Sequence, residues 1–408
     1  MDKSFKNFFI YNLLVIIVFS ACEEAAIPID SNIISTPLTI DTVSFPVINT
    51  ISYQVPPDIG LHEYLYFGKK DEFSFLYNLI RFSSLDSTNL YTFDYYNDSL
   101  IIADSMKLIM SFASDSVEEN IEFQLRYFPD YGDSVFNETT TNYTNFDQSI
   151  ASSVISSSTM SSDSIDSVTT QLRLNFLMDT TIIKVFKDST ITNFNSSFLV
   201  ELTNENLSEF KLFSANSLLN PPKLRVYYRE FLSDSVVLDT SFHTYYSSQD
   251  VSIVDKSSIL STDLNNISVG LAKGLRSLIL VDMEGWELPK RSIISSADLV
   301  YNRIDNDTLI SYSISSYPIT IQADFTKFNI FDIDPYEVDL NYTSSASILN
   351  NQLKINYRKI ITEFGKGTKI NYGFKLQSSP SSDPFKTIQF YNLNSNALYP
   401  TLRIIYVK

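Results

Sequence analysis

The sequence is poor in the residues on which most catalytic and cofactor sites depend. Its 408 residues include one cysteine, two histidines and nine glycines. A single cysteine excludes an intrachain disulfide, a thiolate zinc site and an iron–sulfur cluster. The nine glycines form neither GxGxxG nor GxxxxGK[ST], so no phosphate-cradling loop is indicated. The net charge of −17 argues against nucleic acid as a partner, because binding phosphates requires a basic surface.

The chain does contain enough apolar residues to fold. Hydrophobic residues make up 44% of the sequence and charged residues 19%, which excludes global disorder. The length predicts two or three domains.

The N-terminus has the features of an export signal. Two lysines are followed by twelve mostly apolar residues, 8–19, and then by Ser20, Ala21 and Cys22. A helix that spans a bilayer needs about 20 residues, so this apolar run is too short. We therefore predict that residues 1–21 are a cleaved signal peptide.

A cysteine directly after small residues resembles the lipobox of bacterial lipoproteins, here with Phe19 where leucine is usual. The resemblance implies that Cys22 is acylated and that its acyl chains anchor the protein in a membrane. Glutamates and no aspartate directly follow the cysteine, which implies the outer membrane of a Gram-negative bacterium, on the cell surface or the periplasmic face. Residues 22–41 show no periodicity and are predicted to be a lipidated tether.

Past the tether, apolar residues recur with a period of two. Segments such as QLRLNF (171–176), KLRVYY (223–228) and TLRIIY (401–406) are rich in the β-branched and aromatic residues that strands prefer. Clusters of Ser, Asn, Asp and Pro separate such segments at intervals of about ten residues, which is typical of antiparallel sandwiches and barrels. The pattern predicts an all-β protein.

The two halves of this region resemble each other. Four pairs of segments keep the same order in both: the segments around Gly68 and Gly270, NLIRF (78–82) with SLILV (277–281), QLRLNF (171–176) with QLKINY (352–357), and PKLRVYY (222–228) with PTLRIIY (400–406). Because both the order and the approximate spacing agree, we predict two tandem copies of one antiparallel β-sandwich.

We place the two copies at 42–230 and 250–408, joined by a linker at 231–249 that contains a candidate edge strand. The first copy is longer because of a Ser/Thr-rich insertion near 138–170. The low hydrophobicity of this insertion predicts a mobile loop.

The shared pattern resembles the DNRLRE-type domain. A glycine-marked strand is followed by an L-[IL]-x-[FV] strand, by a strand such as SSADLVY (295–301), and by a closing P-x-L-R-[VI]-x-Y strand. The resemblance implies jelly-roll-like sandwiches that bind carbohydrate in secreted and surface proteins. The motif that names the family is absent, and Ser105 and Met106 stand where small residues are usual.

Aromatic residues mark one inter-strand loop in each copy. The only tryptophan, Trp286, lies in DMEGWELPK, and the corresponding loop of the first copy carries Tyr91, Tyr95 and Tyr96. Sugar rings stack on aromatic faces while neighbouring polar groups bind hydroxyls. We therefore predict a glycan contact in each copy. The alternative is that these rings cover the end of the sandwich, because most aromatic residues of such folds belong to the core.

The densest acidic segment, FDIDPYEVDL, suggests a candidate Ca²⁺ site at Asp332, Asp334, Glu337 and Asp339. Calcium takes six to eight oxygen ligands, which clusters on loops can supply. The alternative is a strand whose acidic residues face water, because apolar residues alternate with them. No other cofactor is predicted.

Neither histidine lies in a hydrolase or metalloprotease motif. His62 and His243 are expected at the surface or at a strand edge, and no GxSxG elbow or HExxH motif is present. We predict a non-catalytic, lipid-anchored envelope protein that binds or scaffolds, with polysaccharide as the first ligand. The alternatives are an adhesion or assembly component that binds another envelope protein, and a hydrolase with paired carboxylates.

Overall fold

The computed structural model describes residues 38–113, 121–128, 136–164, 170–186, 196–204, 207–233, 236–255, 266–304, 312–326, 328–393 and 398–408. Cys22 therefore lies outside the described residues. The described chain is almost entirely β, and its antiparallel ladders form two networks of ten strands each. The predicted all-β architecture with two sandwich-like domains is confirmed.

The N-terminal sandwich contains β2 (Tyr64–Lys70), β3 (Phe73–Phe82), β4 (Ile101–Ser111), β5 (Glu122–Tyr127), β6 (Val154–Ser164), β7 (Thr170–Met178), β8 (Ser197–Leu202), β9 (Phe210–Phe213), β10 (Lys223–Ser233) and β11 (Val236–Val254). One layer has the order β11–β10–β4–β7–β6, and the other has the order β6–β5–β8–β3–β11. Both β6 and β11 therefore change layers, which joins the two layers along both edges.

The C-terminal sandwich contains β1 (Ile40–Gln54), β12 (Ile267–Gly270), β13 (Leu275–Val281), β14 (Ile293–Asn302), β15 (Ser313–Pro318), β16 (Ser344–Ser347), β17 (Gln352–Asn356), β18 (Phe374–Ser378), β19 (Thr387–Phe390) and β20 (Thr401–Val407). One layer has the order β1–β20–β14–β17, and the other has the order β1–β13–β18–β15–β16. The alternation along β20 buries Leu402, Ile404 and Tyr406 between the layers and leaves Arg403 exposed.

Helical structure is minor. Two α-helices, α1 (Thr181–Phe186) and α2 (Arg358–Gly365), and 3₁₀ turns at Phe93–Asn97, Gln148–Ile150 and Leu340–Tyr342 lie between strands. Over the described ranges, no helix has both the length and the apolar character needed to cross a membrane.

Two strands differ from the predicted boundaries, which place β1 in the first copy and β11 mostly in the linker. The first strand, β1, pairs with β20 and β13 of the C-terminal sandwich, although it precedes every strand of the N-terminal one. The strand between the two units, β11, pairs with β10 and β3 of the N-terminal sandwich, so 231–249 is not a linker. Thus β1, which precedes the N-terminal sandwich in the chain, completes the C-terminal one. In the same way β11, which precedes the C-terminal sandwich, completes the N-terminal one.

The positions of β1 and β11 in the two sandwiches are equivalent. Phe45 lies opposite Leu402, and Tyr245 lies opposite the equivalent Leu224. Both strands are interrupted at the same place, between Val47 and Asn49 in β1 and between residues 247 and 249 in β11. The two strands therefore correspond with a constant difference of 200 in residue number.

A buried polar contact is repeated in both sandwiches. In the C-terminal sandwich, the Ser52 hydroxyl lies 2.8 Å from the Ser277 hydroxyl and accepts a hydrogen bond from the Ser268 backbone N–H. In the N-terminal sandwich, the equivalent Ser252 hydroxyl accepts a hydrogen bond of 2.9 Å from the Tyr66 backbone N–H, and it donates to Asn78. These contacts fix the register of β1 and β11, because a slip by one residue would leave buried donors unpaired.

The Ser/Thr-rich insertion is not a loop throughout. Its described part contains β6, which pairs with β5 through its first half and with β7 through its second half. Backbone hydrogen bonds hold this strand in place, and the buried Ser158 hydroxyl accepts a further hydrogen bond of 3.0 Å from the Asn175 backbone N–H. Low hydrophobicity misled the prediction because a strand at the edge of a layer needs few apolar side chains.

The two sandwiches meet at an aromatic interface. Phe385 of the C-terminal sandwich inserts between Tyr66, Phe73 and Phe75 of the N-terminal one, with ring centroids 5.0, 5.6 and 5.6 Å away. The Lys70 ammonium lies 4.5 Å from the centre of the Phe385 ring. Because this cluster is buried, we expect the two sandwiches to unfold in a coupled manner.

Candidate functional site

The loop that carries Trp286 joins β13 to β14 in the C-terminal sandwich. The Trp286 backbone N–H donates to the Met283 carbonyl (3.1 Å), which closes a turn around Gly285 with its positive φ of 71°. The Leu288 backbone N–H donates to the Gly365 carbonyl (2.8 Å) and ties the loop to the end of α2. These two bonds hold the loop against the sandwich.

The Trp286 ring is half-buried between β1 and α2. It packs edge-on against Phe45, with ring centroids 5.6 Å apart and an interplanar angle of 67°. It also lies directly against the backbone of Gly365, where an added Cβ would come within 2.7 Å of the ring. A glycine at this position is therefore required for the observed ring position.

Three neighbouring grooves share the Phe364 ring, and Trp286 lines two of them. The first, of about 570 Å³, lies between residues 285–292 and 364–367. The second, of about 360 Å³, shares the walls Trp286 and Phe364 with the first and extends to Asn371. The third, of about 190 Å³, continues past Phe364 to Tyr372. Trp286 is thus a shared wall of the two larger grooves.

The grooves combine aromatic walls with groups that can bind hydroxyls. The Lys369 ammonium lines the second and third grooves and donates to an Asp339 carboxylate oxygen at 2.5 Å. This hydrogen bond raises the pKa of Lys369 and lowers that of Asp339. Asn371 also lines the second groove, and its amide is held in place by the Val281 carbonyl (2.9 Å) and the Gly373 backbone N–H (3.1 Å). An aromatic wall with polar groups beside it can stack on a sugar face and hydrogen-bond its hydroxyls.

The corresponding loop of the N-terminal sandwich is closed by its own rings. Tyr96 is buried, and its hydroxyl lies 2.8 Å from His243 Nδ1. Tyr91 stacks on the His243 ring at 4.3 Å, and Tyr95 packs edge-on against Tyr91 at 4.6 Å. The structure therefore brings the three predicted tyrosines together, but it places Tyr96 in the core. Tyr91 and Tyr95 are half-exposed, so a glycan contact at these two residues stays a prediction.

The four acidic residues proposed for calcium do not form a cluster. Among the described residues, no group of three or more His, Cys, Asp or Glu side chains is arranged to hold a metal ion. Asp332 and Glu337 are exposed, and Asp339 is engaged by the lysine described above. Their segment is irregular rather than a strand, so the alternative reading with acidic side chains alternating toward water is also wrong.

Asp334 instead belongs to an ionic cluster inside the C-terminal sandwich. It pairs with Arg276, accepts a hydrogen bond of 2.9 Å from Lys375, and accepts another from the Tyr53 hydroxyl. Burial opposes its ionisation, but the charges of Arg276 and Lys375 keep the pKa of Asp334 below its ordinary value. The calcium prediction fails here because protein cations already neutralise this carboxylate.

Both histidines are buried, contrary to the expectation of surface positions. His62 accepts a hydrogen bond at Nδ1 from the Tyr64 backbone N–H (3.3 Å), so its proton lies on Nε2, which faces the Ser382 carbonyl at 3.2 Å. Burial lowers the pKa of His62 to about 4. Burial also lowers the pKa of His243. Both rings are neutral at pH 7 and are packed among tyrosines.

One buried carboxylate bears on the hydrolase alternative. Asp250 is 1% exposed and accepts a hydrogen bond from the Ala215 backbone N–H, while its Oδ1 has no partner. Burial raises the pKa of Asp250 far above its ordinary value, and burial also raises that of the neighbouring Glu138. The raised pKa favours the protonated form of Asp250, but its burial keeps substrate from reaching the carboxyl group.

The sequence reasoning identified Trp286 but missed its neighbours Phe364, Asn371 and Tyr372. The one signal in the sequence was the pair of glycines at 365 and 367. These glycines lie at the end of α2 and come close to Trp286 only in the folded chain. No known protein family, curated protein or solved structure matches the chain. The likeness to lipoproteins and to the DNRLRE-type domain therefore rests on the residues alone.

Proposed function

We propose that the protein is a non-catalytic, lipid-anchored component of the bacterial envelope that binds an extended glycan along the Trp286 grooves. In this proposal Cys22 carries the acyl chains, and the protein resides in the outer membrane, on the cell surface or the periplasmic face. Polysaccharide is the partner of the C-terminal sandwich, and the N-terminal sandwich supports it through the aromatic interface.

The observation that carries the proposal is the placement of Trp286. A half-buried tryptophan is held by Phe45 and Gly365 in the wall between two grooves, with Lys369 and Asn371 nearby. A ring that served only the core would be enclosed on all sides. Here the ring remains in contact with both grooves, as a platform for sugar stacking requires.

The test of binding is a polysaccharide array with the soluble chain 23–408, with and without calcium. Because Trp286 is the only tryptophan, its fluorescence reports directly on the grooves during titration. We expect saturable binding of one glycan class with a change in this fluorescence. We expect Trp286→Ala to weaken binding at least tenfold, which corresponds to about 1.4 kcal/mol.

Phe242→Ala is the matched control, because Phe242 is an exposed aromatic residue of the N-terminal sandwich far from the grooves in sequence. It should leave affinity unchanged. Unaltered binding by Trp286→Ala, together with a loss of stability, would show that the ring only lids the sandwich. Release of oligosaccharide products would restore the hydrolase alternative.

A second candidate function is protein scaffolding through a free strand edge. In the part of the chain that the structure describes, β16 pairs only with β15, and β17 pairs only with β14 in the ladders. The Ser344 hydroxyl of β16 donates to the Asn356 carbonyl of β17 (2.8 Å), so the two edges lie close together, and a partner strand would have to enter between them. A blank polysaccharide array, followed by crosslinking in cells to one envelope protein, would favour this function.

A further inference from the structure

The described part of the chain begins at one end of the C-terminal sandwich, not at the N-terminal one. Ile40, the first residue of β1, pairs with Val407 near the end of β20. The Lys408 backbone N–H donates to the Thr39 carbonyl at 3.0 Å, and the Lys408 side chain pairs with Asp41. We call this region, formed by residues 38–41, 290–293 and 405–408, the β1 end.

The N-terminal sandwich is attached at the other end of β1. After Gln54, the Val55 backbone N–H donates to the Gly274 carbonyl (3.0 Å), and the Gln54 side chain donates to the Lys273 carbonyl (2.7 Å). Lys273 also pairs with Glu72 of the N-terminal sandwich at 2.6 Å. Since β1 has 15 residues and a strand rises about 3.3 Å per residue, up to about 50 Å separates the two attachment points.

The surface of the β1 end differs from the rest of this acidic chain. Leu38, Ile40 and Ile293 are 78%, 71% and 66% exposed. Ile293 lies beside them because it pairs with Val407 from the opposite side of β20. An exposed apolar group of this kind next to the beginning of the chain suits contact with a lipid surface.

Two cations complete this surface. Lys290 and Arg291 are exposed in the turn that leads into Ile293, and no described carboxylate lies within ion-pair distance of either. Both also line the first Trp286 groove, so their contact with lipid would leave the second and third grooves for a glycan. In a chain of net charge −17, two unneutralised cations next to exposed aliphatic residues are complementary to lipid phosphates.

We propose that, on the anchored protein, the C-terminal sandwich lies against the membrane, with its β1 end toward the lipid headgroups and the N-terminal sandwich directed away from them. This orientation rests on the proposed acyl anchor at Cys22. Residues 23–37 can span at most about 3.6 Å each, which limits how far the β1 end stands from that anchor. Chain order alone would place the N-terminal sandwich next to the membrane, and the position of β1 reverses this.

The test uses the full-length acylated chain in vesicles of phosphatidylethanolamine with a minority of phosphatidylglycerol. Because Cys22 is acylated, one introduced cysteine is the only free thiol for a donor dye. Ile293→Cys labels the β1 end, and Leu177→Cys is the matched control on the N-terminal sandwich, since both positions are 66% exposed. Energy transfer to a headgroup-labelled lipid reports the proximity of each label.

We expect transfer from position 293 to be several times higher than from position 177. We also expect Lys290→Gln combined with Arg291→Gln to lower transfer from position 293. Equal transfer from both labels, or higher transfer from position 177, overturns the orientation. Unchanged transfer in the double variant overturns headgroup contact by the two cations.

Labelling with radioactive palmitate separates the two proposals. Absence of palmitate in the wild-type chain and in Cys22→Ala alike refutes the anchor, and the orientation fails with it. Palmitate at Cys22 together with equal transfer from both labels refutes the orientation alone and leaves the anchor in place.

Discussion

Acidification should expose a compensation between two buried groups near the interface of the sandwiches. Asp58 and His62 lie in the segment that leads from β1 to β2. Burial lowers the pKa of His62 to about 4 and raises that of Asp58 to about 6. The two changes affect stability with opposite signs over nearly the same range of pH.

The His62 contribution is lost on acidification. Below pH 6.5 the unfolded chain binds a proton at this histidine, while the folded chain resists protonation until about pH 4. The free energy of unfolding therefore falls as the pH decreases through this range. Between pH 7 and pH 4.5 the expected loss is about 2 kcal/mol.

The Asp58 contribution is gained on acidification. Its carboxyl stays protonated in the folded chain up to about pH 6, whereas in the unfolded chain it ionises above pH 3.8. The free energy of unfolding therefore rises as the pH decreases from about 6 toward 3.8. Between pH 7 and pH 4.5 the expected gain is about 2 kcal/mol, which offsets most of the His62 loss.

Urea denaturation of the chain 23–408 at pH 7 and pH 4.5, followed by circular dichroism, tests this compensation. His62→Gln should become more stable at pH 4.5 relative to wild type by about 2 kcal/mol, after its own difference at pH 7 is subtracted. Asp58→Asn should become less stable by about 2 kcal/mol on the same scale. A His62→Gln chain whose pH dependence matches that of wild type would refute the reasoning.

The remaining predictions concern packing. Phe385→Ala should cost about 3 kcal/mol and split urea unfolding into two transitions, because the interface ring is lost; one unchanged transition would contradict this. Ser252→Ala should cost about 1–3 kcal/mol, because it leaves a buried backbone N–H of β2 unpaired. Ser52→Ala should cost less in the same urea assay, because a second hydroxyl still accepts from the equivalent N–H. Gly365→Ala should displace Trp286, shift its fluorescence and weaken glycan binding, with unchanged spectra as the contrary result.

Local alternation was sufficient to predict the strands and the repeat. Segments such as TLRIIY (401–406) and KLRVYY (223–228) form equivalent strands, β20 and β10, each beside a layer-changing strand.

The contacts of the polar residues could not be predicted from local alternation. Two acidic residues of FDIDPYEVDL, Asp334 and Asp339, pair with lysines and an arginine that are distant in sequence, and the segment alone could not show these ion pairs.

The candidate site was predictable only in part for the same reason. Trp286 was visible as the only tryptophan on an inter-strand loop, but the groove depends on Phe364 and Gly365, which reach it through α2. The sequence predicts that the tyrosine loop at 91–96 is the equivalent of the Trp286 loop. In the structure, however, the His243 ring from β11 packs against these tyrosines.

The sequence by itself determined the fold class and the two-fold repeat, because these follow from side-chain periodicity within each segment. Only the tertiary structure decided which sandwich each layer-changing strand completes. β1 and β11 share the same alternation, the same interruption and equivalent buried serines, Ser52 and Ser252. By local pattern alone, each of the two strands could therefore complete either sandwich. β11 follows β10 after two residues and pairs with it as a hairpin, because that contact closes the shortest loop. The equivalent position beside β20 is then filled by β1, which brings the beginning and the end of the described chain together.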